Sequence, residues 1–266
     1  MCTLALVTAG GLVTSNDAAL SVPDWPLSWG RLVPPLEGGI RYEFVHRMLA
    51  AAVALLTAIL AVWMQVREPR PWKRKLAWSA FGAVVAQALL GGAVVKLVDP
   101  KVLGISHACL AQICFGLTVA IAIGLNQELS GAGQGVVPQI AVAAVLVQTG
   151  VGAAVRHGAL GLASHIIGAI VATALVLWAC MGILIHHMDD PKLRRPALVL
   201  LYLTATQIFL GLAAYTAKVT TIDDPQPMPV VVWATVAHVV AGALVFGAAI
   251  ALAMIERAAR AARIAE

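Results

Sequence analysis

The feature that most constrains this chain is a series of long apolar segments. They are separated by short clusters of charge, proline and glycine, such as REPRP, DPK, GAGQG, DDPK and DDPQPMP. About 20 helical residues cross the roughly 30 Å hydrocarbon core of a bilayer. The segments therefore predict an all-α polytopic membrane protein with eight transmembrane helices. We place the spans at roughly residues 1–18, 41–66, 76–97, 104–125, 137–155, 160–186, 197–218 and 231–255.

The composition agrees with a chain whose surface is apolar as well as its core. Of the 266 residues, 61% are hydrophobic and only 12% are charged, whereas about a quarter are charged in a typical soluble domain. The net charge of +5 does not indicate a nucleic-acid partner, because the basic residues lie in short clusters between apolar segments. The four cysteines lie within apolar segments without a CxxC pair, so neither a disulfide framework nor a zinc site is expected.

Lysine and arginine residues predict how the chain is oriented. Basic clusters occur in 67–75, 187–196 and 257–266, which are alternate connections and the C-terminal tail. By the positive-inside rule these segments are cytoplasmic, so both termini are predicted in the cytoplasm of a bacterial plasma membrane. The first segment lacks the basic region of a signal peptide and is short. Either its helix continues through Asn16 to Ala19, or the natural start lies upstream.

The chain also repeats itself. Spans three and seven contain QALLG and QIFLG, which share the pattern Q-x-x-L-G, and each is followed by a helix with one histidine near its start. Spans two and six likewise carry one histidine each, in YEFVHRMLAA and LASHIIGAIV. These matches predict two copies of a four-helix unit, an N-terminal half of residues 1–126 and a C-terminal half of residues 127–266.

Four of the seven histidines lie inside predicted spans at a similar depth. A single intramembrane histidine commonly packs against a hydrogen-bond partner, but ionisable groups in a bilayer are costly and usually functional. Two facing imidazoles can hold one metal, and without acidic or thiolate neighbours a bis-histidine haem fits better than zinc or di-iron. The other three, His157, His186 and His187, are interpreted as solvated. The predicted haem pairs are His46 with His107, and His165 with His238.

The surroundings of the histidines differ between the halves. Glu43 precedes His46 by three residues and shares its helix face, whereas the corresponding position before His165 is Leu162. A carboxylate there can move protons, or it can form an interfacial salt bridge with a neighbouring arginine, Arg41 or Arg47. The long proline-rich loop before Glu43 is either a lid or part of an aromatic belt. We therefore expect a reacting site in the first half and a fixed cofactor in the second.

The stretches GLVTSNDAALSVPDWPLSWGRLVPP and YEFVHR resemble the haem A synthase family. The marks are the P-D-W-P-L core, the G-x-x-x-P-P spacing and E-x-x-H-R. The resemblance implies an eight-span enzyme of cytochrome oxidase assembly, which oxidises the C8 methyl of haem O to a formyl group by successive hydroxylations. It also implies an electron donor and haem O synthase as partners. The implied roles are catalysis for Glu43, substrate-haem iron ligation for His46 and His107, and haem b iron ligation for His165 and His238.

One departure from that family, and two competing functions, remain. Many members have cysteines flanking the P-D-W-P-L core, where this chain has Val22 and Ser28. It therefore cannot form that disulfide or pass electrons through it. A dihaem cytochrome b would explain the four histidines without Glu43, and a haem transporter or assembly chaperone would need no oxidation. Haem O synthase is set aside, because the sequence has no D-x-x-x-D motif for a magnesium diphosphate.

Overall fold

The computed structural model describes residues 1–98, 100–125 and 136–265. Within them there is no β-strand beyond one isolated bridge, and seven helices are long and apolar enough to cross a membrane. The prediction of an all-α polytopic membrane protein is confirmed. The helices are α1 (Cys2–Ser15), α2 (Ile40–Arg67), α3 (Pro71–Lys96), α4 (Lys101–Leu125), α5 (Val136–Arg156), α6 (Leu162–His186), α7 (Pro191–Thr220) and α8 (Pro229–Ala265).

The first helix is the exception in length. Its 14 residues rise about 21 Å, which is less than the hydrocarbon core of a bilayer. It ends at Ser15, and the backbone N–H of Asn16 closes it on the carbonyl of Leu12. Asp17 then adopts a φ of 50°, in the left-handed region that helices do not use. The alternative in which this helix continues through Asn16 to Ala19 is therefore wrong.

Two helices begin earlier than their apolar segments suggested. We predicted starts near residues 76 and 197, but α3 and α7 begin at Pro71 and Pro191, so basic residues of the predicted loops lie in their first turns. Proline suits the first helical position because it has no N–H to satisfy there. In α7 the carboxylate of Asp190 also accepts the N–H of Lys192 as an N-cap. Hydropathy marks the apolar middle of a helix rather than its ends.

The helices pack as two closed rings of four. In the first ring α1, α2, α3 and α4 contact one another in order, and α1 also contacts α4. In the second ring α5, α6, α7 and α8 do the same, with α5 against α8. The first ring lies within residues 1–126 and the second within residues 127–266, and the division of the chain into these two halves stays a prediction. The connection at 126–135, including GAGQG, lies outside the described residues, as does Asp99 of DPK. That each half is a separate haem-binding unit stays a prediction.

The two rings meet through a reciprocal pair of contacts between α4 and α8. A Cβ on Gly116 would lie 2.7 Å from the ring of Phe246, and a Cβ on Gly247 would lie 3.0 Å from the ring of Phe115. Each helix thus inserts a phenylalanine against the glycine that follows the partner's phenylalanine. The arrangement is therefore symmetric between the two rings. The other contacts between the rings match in the same way, since α1 of the first packs on α8 of the second, and α5 of the second packs on α4 of the first.

Candidate functional site: two histidine pairs

The structure brings together the histidines of each predicted pair. The rings of His46 on α2 and His107 on α4 have centroids 6.5 Å apart, with an angle of 72° between their planes. The rings of His165 on α6 and His238 on α8 have centroids 6.1 Å apart, with an angle of 79°. We call these the first and second pair. Each lies inside its own helical ring, and its role in iron ligation stays a prediction.

Every one of these imidazoles packs against a glycine on the preceding helix. A Cβ added to that glycine would approach the imidazole Cε1 to between 2.9 and 3.2 Å, which is closer than a real Cβ atom comfortably sits. A larger side chain would therefore push the imidazole away from its partner. The glycines facing His46, His107, His165 and His238 are Gly10, Gly91, Gly152 and Gly211, respectively.

Glutamines four residues before these glycines contact the histidines in three of the four helix pairs. Gln148 Nε2 lies 2.9 Å from His165 Nδ1 and donates to the His165 carbonyl oxygen at 2.8 Å. Gln207 Nε2 lies 3.3 Å from His238 Nε2, while the Gln207 carbonyl oxygen lies 3.2 Å from His238 Nδ1. Gln87 Nε2 donates to the His107 carbonyl oxygen at 3.0 Å.

The sequence pattern found only part of this repeat. Q-x-x-L-G marked Gln87 and Gln207, but α5 carries the same pair as QTGVG, in which valine replaces the leucine. The position in α1 that corresponds to Gln148 is Leu6, four residues before Gly10. A search for glutamine and glycine at a spacing of four, without the leucine, would have found the copy in α5.

The first pair lacks hydrogen bonds that the second pair has. The Nδ1 atoms of His46 and His107 are buried and have no hydrogen-bond partner within the described chain. The carbonyl groups of Leu6 and Gln87 face these rings, but outside hydrogen-bonding geometry. Both imidazoles of the second pair contact a glutamine through Nδ1. The two pairs therefore share their packing and differ in how their rings are held.

Two glycines that follow the histidines of the second pair make room for glutamine side chains: Gly242, four residues after His238, and Gly168, three residues after His165. Each histidine has alanine or glycine four residues later, and at His238 this residue is Gly242. A Cβ on Gly242 would lie 3.1 Å from Gln207 Nε2, and a Cβ on Gly168 would collide with Gln148 Oε1. In the second ring these glycines make room for the glutamine side chains.

Glu43 is buried at the start of α2 and both of its carboxylate oxygens are bonded. Oε1 accepts from the Arg47 guanidinium at 2.6 Å, and Oε2 accepts the backbone N–H of Val22 at 2.8 Å. The salt bridge considered from the sequence is therefore formed with Arg47. Arg41 instead donates to the Tyr42 hydroxyl. A catalytic role for Glu43 stays a prediction.

The same arginine fixes the first loop, residues 16–39, against α2. Arg47 donates to the carbonyl oxygens of Asp24 and Leu27 at 2.8 Å each, and to that of Val22 at 3.3 Å. Val22, at a position where the family often has cysteine, is completely buried. The first loop is thus anchored at three carbonyls by one side chain.

Within the first loop, the carboxylate of Asp24 closes a tight turn. It accepts the backbone N–H groups of Trp29 and Gly30 at 2.6 and 2.8 Å. The bond from Gly30 lowers the pKa of Asp24, and the Trp29 N–H and the charge of Arg47 act in the same direction. The Trp25 ring packs against Gly92, where a Cβ would lie 2.9 Å from it. Because Gly92 follows the glycine that faces His107, the loop reaches the neighbourhood of the first pair.

A turn of the second ring is docked on the first. Arg156 donates to the Ser15 hydroxyl at 2.8 Å, and Lys101 donates to the Gly158 carbonyl at 3.1 Å. His157, predicted to be solvated, is partly buried instead, and a Cβ on Gly104 would lie 2.5 Å from its ring. The sequence prediction failed there because His157 follows the apolar part of α5 and its contact comes from the other half of the chain.

Comparison with known proteins connects this arrangement to one family. Residues 39–165 match the family model described as cytochrome oxidase assembly protein (COX15-CtaA). The chain is 31% identical to "Heme A synthase" of Symbiobacterium thermophilum over 47% of its own length and 41% of the relative's. Proteins of the same name from Methylobacterium sp. (strain 4-46) and Methylobacterium nodulans are 29% and 32% identical.

These alignments cover 44% and 43% of this chain for the two Methylobacterium proteins, and 37% and 36% of the relatives themselves. The chain thus spans about two fifths of the length of the curated relatives it matches. The region matched by the family model contains Glu43, His46, His107 and His165, while His238 lies beyond it. The resemblance inferred from the first loop and from E-x-x-H-R is confirmed.

Proposed function

With residues 39–165 related to the haem A synthases, we propose that this chain is a membrane oxidoreductase of haem A synthesis. It oxidises the C8 methyl of haem O to a formyl group by successive hydroxylations. The first pair ligates the iron of the substrate haem, and the second pair ligates a resident haem b. The observation that carries this proposal is the presence of two matched histidine pairs, of which only the first has a carboxylate one helical turn away.

The spacing of the rings suits an iron atom between them. A histidine nitrogen binds a transition metal at about 2 Å, so two imidazoles on opposite sides of one ion have centroids about 6 Å apart, close to the 6.5 and 6.1 Å observed. The Nε2 atoms of His46, His107 and His165 form no hydrogen bonds within the described residues, which leaves them available as ligands. At His238 the Gln207 amide would have to turn away from Nε2.

A bis-histidine haem b would supply one-electron transfer beside the reacting site. The protein's own residues provide the positions. Gly10 and Gly91 leave room for the imidazoles of the first pair, and Arg47 holds the first loop near them. In this proposal Glu43 moves a proton near the rim of a haem held by His46, and the shared face of α2 supports that role.

We propose the partners and setting on the same basis. The substrate is haem O in the lipid bilayer of a bacterial plasma membrane, delivered by haem O synthase, and an electron donor completes the reaction. The basic clusters at 67–75, 187–196 and 257–266 support a cytoplasmic location for both termini.

The deciding experiment is the identification of bound haems after expression with haem O supplied. A haem A synthase yields haem A or its hydroxylated intermediate, together with haem b. A dihaem cytochrome b yields haem b alone, and a transporter or chaperone yields haem O unchanged. The control is a variant with both first-pair histidines replaced by alanine, which should yield haem b from the second pair and no product. Recovery of haem O without oxidation from the unmodified chain would contradict the proposal.

A further inference from the structure

A second position, besides that of Glu43, distinguishes the two proposed haem sites. When the two rings are superimposed by helix order, α1 corresponds to α5 and α2 to α6. Gly10 then matches Gly152, and His46 matches His165, with the same glycine-to-ring contact in each. Four residues before these glycines, however, the first ring has Leu6 and the second has Gln148. The other two helix pairs are α3 with α4 and α7 with α8. At the equivalent position both have glutamine, Gln87 in the first ring and Gln207 in the second.

The Gln148 amide clamps its histidine at two points. Its Nε2 lies 2.9 Å from the ring Nδ1 of His165 and 2.8 Å from the carbonyl oxygen of the same residue. Gly168 admits this side chain, since a Cβ there would overlap Oε1. Leu6 offers no such contact and instead packs among apolar residues of α2, α3 and α4. Within the described residues, the buried Nδ1 atom of His46 has no hydrogen-bond partner.

A metal-bound histidine needs an acceptor for its second nitrogen. When Nε2 binds iron, Nδ1 carries the proton, and a hydrogen bond from it fixes the ring and strengthens the ligand. The Oε1 atom of Gln148 is buried and has no hydrogen-bond partner in the described part of the chain. Because amide oxygen and nitrogen are nearly isosteric, half a turn of the amide presents Oε1 to Nδ1–H, in exchange for the bond from Nε2 to the His165 carbonyl oxygen. The side chain of Leu6 cannot do this for His46, and the Leu6 backbone carbonyl that faces this ring lies outside hydrogen-bonding geometry.

We propose that this position decides whether a haem is retained or exchanged. Gln148 is a positioning residue that holds His165 on a resident haem, and Leu6 leaves His46 as the releasable ligand of a haem that must enter and depart. The inference rests on the proposed function, since it takes both pairs as haem ligands. It adds that His46 is the histidine that dissociates from the haem iron.

The test is the rate at which ferric haem b leaves each site to an excess of a soluble haem-scavenging protein. Full-length protein is loaded with haem b, and variants His107→Ala and His238→Ala are used to assign the fast and slow phases to the first and second pair. Gln148→Leu should accelerate loss from the second pair by about 10- to 100-fold, in line with the removal of an outer-shell partner of a metal-bound histidine. Its rate from the first pair should stay unchanged.

A second variant, predicted to slow haem loss, separates the proposal from misfolding, which would speed haem loss. Leu6→Gln should slow haem loss from the first pair by a similar factor, and the matched control Leu6→Met, which has no amide, should not. Gln148→Leu should also raise the midpoint potential of the second haem, because loss of the Nδ1–H bond makes the imidazole a weaker donor to ferric iron. Unchanged rates in both Gln148→Leu and Leu6→Gln would overturn the proposal. If haem b does not bind to the second pair at all, the proposed function fails instead.

Discussion

At the scale of single residues, Glu43 is the side chain whose role the structure makes most testable. It lies on the same helix face as His46, yet it is bonded to Arg47 and to the Val22 N–H. Its position on α2 and its pairing with an arginine were both anticipated from E-x-x-H-R. The bond to Val22 was not, because it joins residues 21 positions apart and depends on how the first loop folds.

We expect Glu43→Gln and Glu43→Asp to retain haem but to form little haem A. Shortening the side chain to aspartate moves the carboxylate by about 1.5 Å, and a misplacement of around 1 Å can cost on the order of a hundredfold in rate. The measurement is haem A, or its hydroxylated intermediate, per mole of folded protein. Near-normal conversion by Glu43→Gln would leave Glu43 as an anchor of the loop only.

The first loop provides a second prediction at this scale. Arg47→Ala removes the donor to three loop carbonyls and leaves the Glu43 carboxylate buried without its ion pair, a change that typically costs about 3 to 5 kcal/mol. Limited proteolysis in detergent should therefore cut residues 22–31 faster than in the unmodified protein. Arg41→Ala is the matched control, since the exposed Arg41 hydrogen-bonds to the hydroxyl of the neighbouring Tyr42 and lies over its ring. Equal cleavage of both variants would show that Arg47 does not hold the loop.

At the scale of helices, the glycines that face the histidines set how closely the elements approach. Gly211→Ala would place a Cβ about as close as 2.9 Å to the His238 ring, so we expect a shifted haem absorption spectrum and a lower yield of folded protein. Gly182→Ala on α6 is the matched control, because a Cβ there meets nothing within 4 Å and alanine favours a helix by up to about 1 kcal/mol. The measurement is the haem absorption spectrum of both purified variants. A shift in Gly211→Ala alone would assign the effect to the contact with His238, and equal shifts in both variants would contradict it.

Helix existence and order followed from hydropathy, while helix ends and contacts did not. The starts of α3 and α7 at Pro71 and Pro191 lie within basic segments, which a hydropathy window assigns to loops. The pairing of the histidines was predictable because the repeat places one on each even-numbered helix. The Gly10 and Gly152 contacts were not recognised, since glycine is frequent in this chain and only the packing of neighbouring helices distinguishes these two.

At the scale of the whole molecule, orientation in the membrane is the open prediction. Cysteine substituted at the exposed Lys75 or Lys192, in a background without the four native cysteines, should react with a membrane-impermeant reagent only after the cells are opened. Cysteine at Asp223, in the connection between α7 and α8, should react in intact cells. The opposite labelling pattern would reverse the orientation of every helix.

The bonding of Glu43 also has a consequence for the timing of the reaction. Glu43 can accept a proton only by losing the negative charge that attracts Arg47, and Arg47 is what holds the carbonyls of Val22, Asp24 and Leu27. If Glu43 takes its proton from the substrate, the chemical step itself weakens the ion pair that orients Arg47 toward the loop. The loop would then be held more tightly over an unreacted haem than over one that has given up a proton, so the first proton transfer would set when the loop loosens.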